Sequence, residues 1–212
     1  MSDQMKEVQL RDKIVALGRS LAARGLSPGS SGNVSARLGQ GWLMTPTGLS
    51  LGALDGARLS RLDGQGQLVD GAAPTKELPL HLAMYDEQPD AQAIVHLHST
   101  YSVAVACLED VDPDDVLPPL TPYSVMRVGR LVLVPYARPG SLELAEAVRL
   151  RARQGRALLL ANHGPIVAGG SLDAASSAVE EVEEAAKLVL LLHGLPTRRL
   201  SPADVAALGP PS

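Results

Sequence analysis

The stretch IVHLHST, residues 94–100, places two histidines one residue apart at the end of an apolar run. Such a run predicts a β-strand, on which alternate side chains share one face, so His96 and His98 would point the same way. Two imidazoles on one face can hold a metal ion, or they can be ordinary polar residues at a strand end. The pair alone leaves both interpretations open, and the rest of the sequence has to separate them.

Bulk composition predicts one globular domain over residues 1–212. Hydrophobic residues make up 45% of the chain and charged residues 20%, which is enough apolar material for a sizeable core. Because the chain has no Phe and one Trp, Leu, Val and Ala must pack that core. The single Cys107 lies in an apolar stretch and is expected to be a small buried side chain.

Charge and hydropathy argue against several classes of partner. The formal net charge is −4 and the basic residues form no stripe, so nucleic-acid binding is not expected. No run approaches the roughly 18 apolar residues of a membrane span, and the N-terminus shows no apolar signal segment. We therefore expect a cytoplasmic protein with neither a nucleic-acid nor a membrane partner.

Periodicity predicts helices and strands in near alternation. Apolar residues at helical spacing predict helices over residues 3–24, from an N-cap at Thr75 to about Asp86, and over 171–194. Shorter apolar runs bounded by turn residues predict strands, so the chain is expected to be a mixed α/β layered protein. The predicted strands lie within residues 34–38, 41–48, 59–71 (a hairpin), 91–100, 131–136, 156–164 and 165–170.

A third histidine and one glutamate extend the metal hypothesis. His163 ends another apolar strand, and three histidines from two strands can converge on one ion with a position left open, as in catalytic zinc sites. Glu77 is predicted in the first turn of its helix, where the helix dipole favours a carboxylate. His163 as a turn residue and Glu77 as an ordinary first-turn acid are the plain alternatives. His81, four residues after Glu77 on the same helix face, is expected to orient Glu77 or to be structural.

Three segments are suited to hold an anion. SSGNVS and TPTG are turns in which backbone N–H groups can be approached closely, and PTKE lies at a predicted helix N-terminus. Each signal is weak alone, because Gly and Ser also simply make turns. The candidate phosphate-binding residues are Gly32, Asn33, Thr47, Gly48, Thr75 and Lys76.

Six motifs together resemble the class II aldolase/adducin family. They are SGNVSAR, TPTG, PTKELPLHLAMY, IVHLHST, VPYARPGSLELAEAV and LLLANHGPIVAGGS, in family order and spacing across about residues 10–200. The resemblance implies a three-layer α/β/α fold with a mostly antiparallel or mixed central sheet, and a homotetramer with sites at subunit interfaces. It also implies a zinc-type divalent ion, substrate phosphate at the turns named above, and a metal-ligand set of Glu77, His96, His98 and His163.

Within the family, the segments TKE, HLHSTYSVAVACLE, TPYSVMRVG and VEEVEEAAKL resemble decarboxylases that act on 3-oxo-tetronate 4-phosphate. This implies a phosphorylated sugar-acid substrate that loses CO2 through a metal-stabilised enediolate and yields dihydroxyacetone phosphate. Glu77 would be displaced from the metal by substrate and then act as the acid/base at C2, and Lys76 would hold the phosphate or the departing carboxylate. Tyr123 matches a tyrosine that aldolases of the family supply across a subunit boundary.

Two alternatives come from different functional classes. The first is a sugar-phosphate aldolase similar to fuculose-phosphate aldolase, which yields dihydroxyacetone phosphate and an aldehyde. Lys76 speaks against it, because those aldolases typically have serine at this place, and so does a C-terminal tail without a tyrosine. The second is a non-catalytic interaction module like the adducin head domain, which the presence of all four metal-ligand positions disfavours.

Overall fold

Residues 3–209 are described by a computed structural model of the chain. Within that range, one eight-stranded sheet is covered by helices on both faces. The strands are β1 Asn33–Leu38, β2 Gly41–Met44, β3 Ser60–Leu62, β4 Leu68–Asp70, β5 Ala93–His96, β6 Leu131–Val134, β7 Ala157–Leu160 and β8 Gly164–Gly169. The helices are α1 Asp3–Ala23, α2 Leu78–Glu87, α3 Thr100–Ala106, α4 Pro122–Arg127, α5 Leu142–Ala152, α6 Leu172–Leu191 and α7 Pro202–Ala207, with short 3₁₀ turns at Leu51–Ala53 and Gly56–Arg58.

The sheet is mixed and mostly antiparallel, as predicted. Its strand order is β4-β3-β2-β1-β5-β8-β7-β6, and β6 with β7 is the parallel pair. The predicted hairpin over residues 59–71 is formed by β3 and β4, and the predicted strand pair after Arg156 is formed by β7 and β8. The central β5 is bordered by β1 and β8, so its end lies in the middle of the sheet.

Alternation along β5 divides the core into two layers. Ala93 and Val95 face the layer of α1, α3 and α6, whereas Ile94 faces the layer of α2 and α5. His96 follows Ile94 by two residues, so the same alternation directs it toward the α2 layer. The two apolar clusters on either side of the sheet give the predicted three-layer α/β/α architecture. Both are built almost entirely from Leu, Val, Ile and Ala.

The long amphipathic helix is α6, which packs on the sheet. Val179, Val182 and Ala186 are fully or almost fully buried, and Val189 and Leu190 pack against the same cluster. Ser171 caps its N-terminus by accepting a hydrogen bond from the Ala174 N–H.

No helix between residues 3 and 209 combines the length and apolarity that crossing a bilayer requires.

Two local expectations about helix and strand ends were wrong. The strand through IVHLHST ends at His96, so His98 lies in the loop before α3. Helix α2 begins at Leu78 rather than after a cap at Thr75, because Pro79 has no N–H with which to bond the Thr75 carbonyl. The Leu78 N–H makes that contact instead, in a tighter turn, at 3.1 Å.

The expected burial of Cys107 was also wrong. The residue ends α3 at the surface, and its sulfur is exposed. Its Sγ lies 3.6 Å from the Asn162 side-chain nitrogen. An apolar local sequence did not bury it, because the chain leaves the core at the end of that short helix.

A buried carboxylate joins α6 to the start of α3. Glu183 is 5% exposed and accepts hydrogen bonds from the N–H groups of Tyr101 and Ser102 and from the Ser102 hydroxyl, at 2.7–2.9 Å. Ser99, at the N-cap of α3, makes no side-chain cap bond, so Glu183 satisfies donors that the helix would otherwise leave unpaired. This contact fixes α3 immediately after His98.

Replacing Glu183 should therefore destabilise the fold. In Glu183→Gln, one carboxylate oxygen becomes a donor that faces donors, and we expect the free energy of unfolding to fall by about 2 kcal/mol. Urea unfolding at fixed protein concentration measures this. Glu184→Gln, an exposed neighbour on the same helix, is the matched control. Equal stability of the two variants would contradict the capping role.

Candidate metal centre and substrate cleft

Four side chains converge where the middle of the sheet meets α2. His96 ends β5, His98 follows two residues later, His163 directly precedes β8, and Glu77 directly precedes α2. Because β5 and β8 are hydrogen-bonded neighbours, the end of one and the start of the other meet at the same edge. One ligand atom from each of the four residues lies within 4.8 Å of the others.

Four of the distances between these atoms are close to those expected around a small tetrahedral ion. The Nε2 atom of His98 is 3.1 Å from Nε2 of His96 and 3.0 Å from Nε2 of His163. The Glu77 carboxylate oxygens are 3.4 Å from His96 Nε2 and 3.3 Å from His163 Nε2. Ligands about 2.1 Å from a tetrahedral zinc ion would be separated by about 3.4 Å.

For His96 and Glu77, one observation each shows a donor atom with a free electron pair at this site. The Nδ1 atom of His96 lies 2.8 Å from the Pro165 carbonyl, which can only accept, so Nδ1 carries the proton and Nε2 is bare. The Glu77 Oε1 atom is buried and has no hydrogen-bond partner among the described residues. An unpaired buried carboxylate oxygen is costly, and a bound cation would satisfy it.

Burial keeps the imidazoles neutral. It lowers the pKa of His96 well below the usual 6.5, an effect that the neighbouring His163 and His98 reinforce. Burial also lowers the pKa of His98 and of His163, and for both the Glu77 carboxylate opposes the shift. Neutral imidazole is the form that binds metal, so proton competition is weakened at this site.

A glycine allows the third histidine to approach. Gly164 has φ of +149°, and a Cβ atom there would lie 2.3 Å from the Leu97 carbonyl oxygen. The preceding Asn162 has φ of 56°, in the left-handed region that Asn tolerates better than most residues. The sequence ANHG thus encodes a turn that brings His163 against the loop of His98.

The predicted phosphate residues line the same cleft as the histidines. A cleft of about 800 Å³ opens beside Glu77, His98 and His163. The backbones of Gly32 and Gly48 adopt the left-handed region, at φ of 76° and 75°, as the predicted glycine turns would require. The predicted residues on its wall are Gly32, Asn33, Thr47, Gly48, Thr75 and Lys76.

Two predicted residues have surroundings that the sequence did not indicate. The Asn33 side chain donates to Glu77 Oε2 at 2.8 Å and accepts from His81, so it lies against the carboxylate. Tyr123 is 59% exposed on α4, with the Arg127 guanidinium 5.5 Å from its ring centre. It does not line the cleft, so one copy of the chain does not bring Tyr123 to Glu77.

Sequence reasoning identified His81 but missed two buried polar residues behind the cleft, Ser35 and Tyr85. Ser35 contacts both His81 and Tyr85, at 2.7 and 3.0 Å. A periodicity could have found them, since Glu77, His81 and Tyr85 recur every four residues on one helix face. Asn33 and Ser35 likewise share one face of β1.

Comparison with known proteins identifies relatives that match nearly the whole chain. Residues 12–190 match the family described as Class II Aldolase and Adducin N-terminal domain. The chain is 48% identical over 205 residues to the 3-oxo-tetronate 4-phosphate decarboxylase of Haemophilus influenzae, covering 96% of this chain and 98% of the relative.

Solved structures show the same fold. The crystal structure of YgbL from Escherichia coli superposes with a TM-score of 0.93 at 43% identity, covering 95% of this chain and 98% of that one. An L-fuculose 1-phosphate aldolase superposes with a TM-score of 0.84 at 29% identity, covering 94% of each chain. The fold is therefore that of the class II aldolases, and the chain belongs to the class II aldolase/adducin family.

Proposed function

We propose that the protein is a carbon–carbon lyase that decarboxylates 3-oxo-tetronate 4-phosphate to dihydroxyacetone phosphate and CO2. The observation that carries this proposal is the inward-facing group of three neutral histidines and Glu77, which opens into a cleft with Lys76 on its wall. The choice of substrate is supported by the 48% identical relative, which carries the decarboxylase name.

We assign one divalent ion, with Zn²⁺ as the expected metal, to the ligands Glu77, His96, His98 and His163. It is supported by the bare Nε2 atom of His96, the unpaired Oε1 of Glu77 and donor separations of 3.0–3.4 Å for the closest pairs. When bound, such an ion acts as a Lewis acid toward negative charge that develops on substrate oxygens.

The reaction requires a place for one electron pair and one proton. The substrate carries its carboxylate at C1, a hydroxyl at C2 and a ketone at C3. Breaking the C1–C2 bond releases CO2 and leaves the electron pair shared between C2 and the C3 carbonyl, as an enediolate. Adding one proton at C2 then gives dihydroxyacetone phosphate. The protein therefore has to hold the substrate and supply that proton.

The residues of the cleft divide these tasks. We assign the C2 proton to Glu77, which would leave the metal when substrate binds and whose Oε1 then has no competing hydrogen bond among the described residues. We assign the phosphate to the turns at Gly32, Thr47–Gly48 and Thr75, which line the cleft beside the histidines. Lys76, on the same wall, supplies a cation for the departing carboxylate or the phosphate.

The first prediction from the proposed function concerns the reaction itself. Protein loaded with Zn²⁺ should release CO2 and dihydroxyacetone phosphate in equal amounts from 3-oxo-tetronate 4-phosphate, measured by coupled assays. Chelation should abolish both products, and added metal should restore them. Glu77→Gln should lower kcat by about 10³-fold, because it removes the proton donor. Release of an aldehyde from a ketose 1-phosphate, without CO2 from the acid, would contradict the proposal.

A second prediction concerns Lys76. Lys76→Ser removes the cation but leaves the four metal-binding side chains in place, so kcat/KM for decarboxylation should fall about 10²-fold. Metal content, measured by elemental analysis, should stay unchanged. Lys13→Ser, an exposed lysine on α1, serves as the control. Unaltered kinetics in Lys76→Ser would remove this residue from the mechanism.

A third prediction concerns acid sensitivity. Burial lowers the pKa of His81 to about 3, against 6.5 in an unfolded chain, so between these values only the unfolded state takes up the proton. The contribution of neutral His81 to the free energy of unfolding is fully present above pH 6.5. It is lost as the pH falls toward 3, at up to about 1.4 kcal/mol per pH unit for each such histidine. The pKa values of His96, His98 and His163 are lowered too, which adds to the slope.

In chelator-treated protein, the urea concentration at the unfolding midpoint should accordingly decrease as the pH is lowered from 6.5 to 5. His81→Gln, which cannot take up this proton, should show a slope smaller by about one proton. A midpoint that does not change over this range would show that these histidines are not held neutral by the fold.

We also propose that the enzyme is a cytoplasmic homotetramer whose sites lie at subunit interfaces. The exposure of Tyr123 outside its own cleft supports this, because as a catalytic residue it can reach only the site of another copy. Exposed apolar side chains at Tyr136 and Leu142, 64% and 79% exposed, give additional surface that an interface would cover. Sedimentation velocity at micromolar concentration tests the assembly, and a monomer would exclude a role for Tyr123.

A further inference from the structure

A chain of buried hydrogen bonds leads from the core to Glu77. The Tyr85 hydroxyl lies 3.0 Å from Ser35 Oγ, which lies 2.7 Å from His81 Nδ1. His81 Nε2 contacts Asn33 Oδ1, and Asn33 Nδ2 lies 2.8 Å from Glu77 Oε2. Ser35 and His81 are 0% exposed, Tyr85 2% and Asn33 4%. These side chains come from β1 and α2, two elements that the fold places against each other.

The direction of every bond in this chain is determined. An ionised carboxylate only accepts, so the Asn33 amide must present its nitrogen to Glu77 and its oxygen to His81. His81 Nε2 must then carry the proton, which leaves Nδ1 as an acceptor for the Ser35 hydroxyl. Ser35 Oγ in turn accepts from Tyr85. No member can reverse without placing two acceptors or two donors against each other.

We propose that Asn33 and His81 are positioning residues that reserve Glu77 Oε2 for the Asn33 amide, so that Oε1 is the oxygen that carries the C2 proton. This inference rests on the proposed function, since it specifies how Glu77 performs its part of that reaction. Ser35 and Tyr85 act further back, by fixing the tautomer of His81. The Asn33 amide donates to Oε2, and Oε1 has no hydrogen-bond partner among the described residues, so the two oxygens of Glu77 are not equivalent.

The geometry explains why such support is needed. Glu77 occupies the N-cap position of α2, ahead of Pro79, and its side chain makes no cap bond to the helix. The carboxylate could otherwise rotate and exchange its two oxygens, because a terminal carboxylate torsion is broad and roughly two-fold. A single donor whose position is fixed by a fully buried imidazole removes that freedom. The Asn33 side chain can be held in this way only because both of its ends are engaged.

The test compares two substitutions of His81. His81→Gln keeps a donor near the Nε2 position and an acceptor for Ser35, whereas His81→Met fills the space with neither. In His81→Met we expect kcat to fall at least 10-fold with KM within about 3-fold, and the Kd for Co²⁺ to rise about 10-fold. His81→Gln should recover most of both losses. Met84→Val, a buried neighbour on α2 in the apolar cluster, is the control for general destabilisation of that helix.

Binding of Co²⁺ to the metal-free protein provides a readout that needs no substrate. Its visible spectrum reports the ligand field, so a displaced Glu77 should change the spectrum of His81→Met but not that of Met84→Val. If His81→Met and Met84→Val behave alike in kinetics and spectrum, the positioning role is wrong. It is equally wrong if His81→Gln is as impaired as His81→Met, since a retained donor would then make no difference.

A measurement on the unaltered protein covers the case in which His81→Met does not fold. In ¹⁵N-histidine-labelled protein at neutral pH, His81 should be the neutral tautomer with the proton on Nε2, and Ser35→Ala should broaden or shift that signal. A proton on Nδ1 would overturn the inference. Wild-type protein that releases no CO2 but shows the expected Co²⁺ differences would reject the proposed function and leave the positioning role standing.

Discussion

Mutual repulsion among electron-pair donors is the constraint on which this structure depends. Neighbouring donor atoms of the three Nε2 atoms and the Glu77 carboxylate face one another across 3.0–3.4 Å. Burial adds to the cost, because the pKa of each of the three histidines is held below its usual range and a charged imidazolium is disfavoured there. Only a rigid scaffold can keep them there, and the protein supplies one from the centre of the sheet. The Pro165 carbonyl orients His96, the Gly164 turn brings in His163, and Glu183 anchors the helix after His98.

The same constraint explains how polar groups are distributed around the site. On the buried side, hydrogen bonds are complete from Tyr85 to Asn33, and one oxygen of Glu77 is satisfied. On the cleft side, the second oxygen of Glu77 has no hydrogen-bond partner among the described residues to compete with an ion or a substrate. The unpaired acceptor atoms therefore lie at the wall of the cleft, where a bound ion or substrate can pair with them.

A shared enediolate accounts for the breadth of reactions that one such site can serve. Loss of CO2 from a β-keto acid and retro-aldol cleavage of a ketose phosphate both leave an electron pair beside a carbonyl, so both benefit from the same electrostatic stabilisation. What distinguishes them is the group that departs, an anion that becomes CO2 in one case and a neutral aldehyde in the other. Lys76 on the wall of the cleft is the feature of this chain that matches an anionic substrate end.

Local patterns were enough to identify strands, helices and the residue types suited to metal and phosphate, because periodicity and turn chemistry act over a few neighbouring residues. The mixed three-layer fold followed from that pattern together with the family resemblance. Tertiary structure decided which groups contact each other at the site. Asn33 meets Glu77 across 44 residues of chain and His96 meets the Pro165 carbonyl across 69. The start of α2 at Leu78, the loop position of His98 and the distance of Tyr123 from its own cleft likewise depend on how the chain packs. No local pattern encodes contacts of that range, since they exist only when β1, α2, β5 and β8 are assembled.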